Sequence, residues 1–171
     1  MPRLPALILL FAFAPAAMAG AGHEAHVHGV ASVDVAIDGN VLSIDLDTPA
    51  DNLLGFEHTP RSADEKQRAG RVAALLAQPD TLFRINPEAG CVAAKPALQA
   101  PILSGSGATG EHNDIEASFG FNCARPAALA NLNVLLFDAF PRLNSIKLQL
   151  AGPKGQRGQT LQKGQRSVSL K

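Results

Sequence analysis

The chain has 171 residues, 46% of them hydrophobic and 18% charged, and its 15 Lys and Arg balance 15 Asp and Glu. That composition argues against a disordered chain, which needs less apolar content and more net charge, and against general binding to nucleic acid or anionic membrane, which needs clustered cations. Trp and Tyr are absent, so stacking platforms for sugars, cations or bases reduce to a few Phe.

Arg3, the apolar run LPALILLFAFA and the small-x-small triplet Ala17-Met18-Ala19 form the n-region, core and cleavage site of a secretory signal. The apolar run is too short to span a bilayer comfortably. Residues 1–19 are therefore expected to be a signal peptide, with Ala19-Gly20-Ala21 as a second cleavage register. No Cys follows the run, which argues against a lipoprotein anchor, and no stable membrane insertion is expected after cleavage. Cutting after Ala19 leaves 171 − 19 = 152 residues, 20–171, with 14 cations against 15 anions because Arg3 is lost. This is enough chain for a single domain.

Beyond a Gly- and His-rich start, Val33, Val35 and Ile37 alternate with Asp34, Ala36 and Asp38, and Leu42, Ile44 and Leu46 alternate with Ser43, Asp45 and Asp47. Two half-buried strands joined at Asp38-Gly39-Asn40 make a hairpin. TPADNLLGFEHTP, between Pro49 and Pro60, reads as a loop anchored by Leu53, Leu54 and Phe56. Ser62 and Glu65 then form a capping box, and Ala69, Val72, Ala73 and Leu76 recur at helical spacing, predicting an amphipathic helix over 62–78.

TLFRI and CVAAK read as strands joined by a turn over 86–90. SGSGATGEHND, residues 104–114, reads as a flexible polar insertion. Ile115 to Cys123, Leu132 to Leu136 and Ile146 to Leu150 each alternate as strands, and a last short pair lies around QTLQ and SVSLK. The pattern predicts an α+β domain of seven or eight mainly antiparallel strands with one clear helix, not a parallel βαβ fold. Cys91 and Cys123 are the only cysteines. In an oxidising compartment an even count without CxxC spacing predicts one structural disulfide, free or metal-ligating thiols being the alternative. Closing a loop of about 33 residues stabilises a fold by roughly 3 to 4 kcal/mol.

Three of the five histidines fall in HEAHVHG. On an extended strand, His26 and His28 emerge on one face, close enough to share a metal ion, and His23 can swing in from three residues upstream. Imidazole suits zinc, copper and nickel, and a ligand from elsewhere completes a tetrahedron. His58 in GFEH is the candidate for that place, with Glu57 as a ligand or as the group that orients a histidine. His112, beside Glu111 and Asp114, is a further candidate. The plain alternative is that histidines near a mature N-terminus are exposed and unliganded. A cut after Gly20 would put His23 third, the arrangement that forms square-planar copper or nickel sites; the cut favoured here, after Ala19, puts it fourth.

His26-Val27-His28-Gly29, the Val33-Asp34-Val35-Ala36 strand, the stretch from Pro49 to His58, Leu82-Phe83, the two cysteines and the run from Leu136 to Pro141 together resemble the ZrgA-type periplasmic zinc-uptake proteins. The resemblance covers nearly the whole mature chain, with HEAHVHG and NLLGFEH its most specific parts. It implies a periplasmic zinc-binding accessory of zinc acquisition, working beside an inner-membrane assembly. Such proteins often carry a long His- and Asp-rich tract before the strand holding the second Cys, whereas the insertion here keeps only His112. That departure argues against high-capacity buffering and leaves a compact site at His26, His28 and His58 open.

No HExxH, GxSxG or Walker loop is present, and neither Cys has a nucleophile setting. No enzyme is expected. Two other classes stay open: a metal-independent envelope interaction module, recognised by a melting temperature that zinc leaves unchanged, and a periplasmic copper-binding protein.

Overall fold

The alternation that starts the domain becomes a ladder in the computed structural model, which describes residues 27–105 and 113–171. Strand β1 (Val30–Asp38) turns at Gly39 into β2 (Val41–Pro49), and the two pair antiparallel with Val33 opposite Leu46 and Val35 opposite Ile44. β2 next pairs with β6 (Asp114–Cys123), running from Val41 opposite Asn122 to Pro49 opposite Asp114.

β4 (Cys91–Ala93) and β5 (Ala97–Gln99) both lie along β6. On the other side, β1 pairs with β8 (Ser145–Gly152), and β8 with β9 (Gly155–Gln162), completing a seven-stranded sheet. A second, three-stranded sheet joins β3 (Phe83–Ile85), β7 (Asn131–Val134) and β10 (Ser167–Ser169) in the order β10-β7-β3.

Period-two patterning puts one face of the large sheet inside. Val33, Val35, Leu42, Ile44, Phe119 and Leu148 are buried in a single apolar cluster with Ala69, Val72 and Leu76 of the helix and with Phe83, Leu132 and Val134 of the small sheet. The Phe83 and Phe119 rings meet across the two sheets at 5.1 Å, tilted by 58°. The opposite face carries Asp34, Asp45 and Glu116, all exposed.

The α+β class holds, with mostly antiparallel strands, and Cys91 and Cys123 form the expected disulfide at directly paired positions of β4 and β6. The helix expected over 62–78 spans Ala63–Leu76, with both halves of the capping box formed around Ser62 and Glu65.

Other expectations are corrected. The described residues form ten strands, and β1 runs parallel to β8, because the chain returns to the sheet through the intervening elements instead of through a hairpin. QTLQ and SVSLK do not pair with each other; they serve different sheets, through β9 and β10. Leu136 lies in a short helix, Leu136–Ala139, not in the strand before it. The stretch read as a loop after Pro49 opens with the helix α1 (Ala50–Leu54), which ends at Gly55 with φ of +82°. Its signals, Asp51 in the first turn and a C-terminal Gly, are standard helix punctuation that the flanking prolines mask. The insertion is narrower than 104–114, since Asp114 already belongs to β6.

Candidate metal centre

The chain enters the sheet through a tight turn. Val30 N–H donates to the Val27 carbonyl at 3.0 Å, with Gly29 at φ of +82° in the position that favours glycine. The strand expected to carry His26 and His28 side by side thus begins only at Val30, and His28 stands at the corner ahead of it. A Cβ on Gly29 would come within 2.5 Å of Asn144 Nδ2, so the turn is closely covered. It is also pinned from both sides. Asn52 Oδ1 accepts from Gly29 N–H at 2.6 Å, and the Gly29 carbonyl accepts from the N–H groups of Asn144 and Ser145 at 2.7 and 3.0 Å.

The facing wall is α1 and the segment that follows it. Arg142 donates from Nε to the Asp51 carbonyl and from Nη2 to both carboxylate oxygens of Asp51, each at 3.0 Å, while Arg68 Nη1 donates to the Leu54 carbonyl at 2.9 Å. Asn113 Nδ2 donates to the Glu57 carbonyl at 2.5 Å.

These anchors bring together two residues that lie far apart in sequence. His28 Nε2 is 3.1 Å from Glu57 Oε1, with the imidazole 64% exposed and the carboxylate 17% exposed. A carboxylate only accepts, so the hydrogen bond puts a proton on Nε2, and the neutral ring then keeps its lone pair on Nδ1. A histidine whose second nitrogen is held by a carboxylate is the common setting of an imidazole metal ligand. His28 also lines an open cleft of about 380 Å³ with Asp51, Arg142 and Asn144.

His58 takes the other side of the loop. It stacks on Phe56 at 5.1 Å, its Nδ1 donates to the Thr59 carbonyl at 3.1 Å, and its Nε2 lies 3.7 Å from Glu65 Oε1. Glu57, between Phe56 and His58, turns toward His28 instead, as successive side chains of an extended segment do. Glu57, not His58, is therefore the residue the fold brings to His28. Glu65 serves mainly as the helix cap. Hydrogen bonds from the backbone N–H groups of Ser62 and then Arg61 hold its carboxyl below the ordinary value of 4.5, with a smaller contribution from His58.

His23, His26 and His112 lie outside the described residues. Among the described residues, no group of three or more His, Cys, Asp or Glu is close enough together to hold a metal ion, and both cysteines are tied up in the disulfide. A pair with one neutral imidazole lone pair fits zinc as part of a ligand set, not as a whole one. Sequence reasoning missed Asn52 and Asn113, because a buried asparagine carries no signature in a segment that reads as a loop. No helix among the described residues is long and apolar enough to cross a membrane.

No curated protein matches the chain. Residues 25–170 match the family model described as ZrgA family zinc uptake protein, a span that holds both the His28 turn and the Glu57 wall, and the chain belongs to that family.

Proposed function

We propose that this protein is a periplasmic zinc-binding accessory of zinc acquisition, with zinc as cargo and no catalytic step. The observation that carries the reading is the His28 and Glu57 pair, 3.1 Å apart, with both residues inside the span that matches the family. In this reading His28 offers Nδ1 to the metal and Glu57 orients the ring from behind. His26, two residues upstream, is the second donor. His23 and His112 supply the remaining donors; His112 precedes Asn113 in the sequence, and the Asn113 side chain donates to the Glu57 carbonyl. His58 is assigned no direct ligand role.

Family membership supports zinc as the physiological metal; Cu(II) binds nitrogen sites more tightly, so metal supply decides which is bound. The inner-membrane partner is an uptake assembly that accepts the metal. Export predicts a product that begins near residue 20 and carries the Cys91 to Cys123 bridge.

The test is metal analysis and intact mass of untagged protein isolated from the periplasm, followed by thermal unfolding with added zinc. Zinc binding to the native state alone stabilises by ~2.7 kcal/mol at a free concentration one hundred times the dissociation constant. For a domain of this size that raises the melting temperature by roughly 5 to 10 °C. An unchanged melting temperature would favour the metal-independent interaction module, and copper in place of zinc would favour copper handling.

A further inference from the structure

Burying a polar side chain costs free energy unless it is fully hydrogen-bonded, so where a core tolerates one is informative. Among the described residues, three polar side chains are buried: Thr48, Asn52 and Asn113, at 0%, 1% and 6% exposure. All three stand where the Gly29 turn meets the wall that carries Glu57. The Asn52 amide accepts from Gly29 N–H at 2.6 Å and donates to the Val30 carbonyl at 2.8 Å and to Thr48 Oγ1 at 2.9 Å. The Asn113 side chain donates from Nδ2 to the Glu57 carbonyl at 2.5 Å, and the Asn113 backbone carbonyl accepts from Ala50 N–H at 2.8 Å. One asparagine fixes the peptide that follows His28, and the other fixes the peptide of Glu57 itself.

We propose that Asn52 and Asn113 are positioning residues of the zinc site, holding the His28 and Glu57 backbones at the separation where imidazole and carboxylate meet. The assignment rests on the zinc reading and adds what sets its geometry. An amide suits position 52 because it donates and accepts without charge, and position 113 because it donates to the Glu57 carbonyl without bringing a charge. An aspartate at 52 would set a carboxylate against the Val30 carbonyl, and an apolar residue would leave Gly29 N–H without a partner inside the protein.

The test uses the mature chain and zinc alone, by competition against a chromophoric chelator, with the visible absorption of bound Co2+ as a second readout of ligand geometry. Asn52→Ala and Asn113→Ala are compared with Asn86→Ala. Asn86 is a matched control, since it accepts from the N–H groups of Ala130 and Asn131 at 2.9 and 3.2 Å and donates to the Ala128 carbonyl at 3.0 Å, all away from residues 28–58. Measured below each variant's unfolding transition, Asn52→Ala and Asn113→Ala are expected to lose about 10-fold to 100-fold in zinc affinity and to shift the Co2+ bands, with Asn86→Ala unchanged. Wild-type affinity and Co2+ spectrum in the two folded variants, or an equal loss in Asn86→Ala, would overturn the proposal. If Asn52→Ala does not fold, Asn113→Ala, which leaves the Gly29 turn intact, decides by the same criteria. Failure of the zinc reading looks different: His28→Ala would then bind zinc as tightly as wild type, and both proposals would fall together.

Discussion

His28 Nε2 and Glu57 Oε1 are 3.1 Å apart although 29 positions separate the two residues in the chain. The carboxylate is the more buried partner, so it sits behind the imidazole and leaves the ring facing solvent. In the zinc reading proposed above, Glu57 orients His28 and the metal is left to the histidine.

Replacing Glu57 separates orientation from ligation. Glu57→Gln keeps an oxygen that can accept from Nε2–H, so zinc affinity should fall by less than about 10-fold, whereas Glu57→Ala should lose about 10-fold to 100-fold. If Glu57 is instead a direct ligand, both variants lose similar amounts, because a neutral amide is a poor zinc ligand. Competition titrations of the two variants, read side by side, distinguish these outcomes.

Gly29 is a second point to test, since its φ of +82° strains any other residue and an added Cβ would lie 2.5 Å from Asn144 Nδ2, which would have to move. Gly29→Ala should destabilise the fold by about 1 to 2 kcal/mol from the left-handed backbone alone and should also weaken zinc binding. Gly39→Ala provides the comparison, because Gly39 has φ of +57° and nothing within 4 Å of an added Cβ. It should lower stability while leaving zinc affinity unchanged. Urea unfolding with zinc titration of both variants checks the difference.

Acid should uncouple the cap of the long helix. The folded-state pKa of Glu65 is depressed, so its contribution to stability is complete above the ordinary value of 4.5 and is lost as pH falls through the lower folded value. Glu65→Gln removes that titration. The stability advantage of wild type over Glu65→Gln should persist at pH 5 and above and shrink below pH 4.5, measured as urea midpoints across the series. An advantage that grows on acidification would contradict the assignment.

The strands and the long helix were legible because burial on one face writes a period into the sequence: Val33, Val35, Leu42 and Ile44 for the hairpin, Ala69, Val72 and Leu76 for the helix. The disulfide followed from two cysteines without CxxC spacing and an expected export signal. The parallel pairing of β1 with β8 could not be read, because a half-buried strand looks the same whichever way its neighbour runs. The candidate site was half legible. HVHG and GFEH marked the two stretches that meet, but which of Glu57 and His58 turns to the histidine depends on the path of one loop. That path is set by Asn52, Asn113 and Arg142, whose side chains act across 22 to 91 positions of sequence. No local pattern records contacts of that range.

The proposed zinc site rests most directly on His28 in the turn and on His26, two positions earlier in the sequence. Calorimetric titration of zinc into the mature wild-type protein and into a His26→Ala, His28→Ala double variant at neutral pH should show a loss of more than ~100-fold in affinity, with the wild-type affinity itself falling as pH drops from about 7 to about 5 because imidazoles must shed a proton to bind metal. Equal zinc affinity in the two proteins would contradict it.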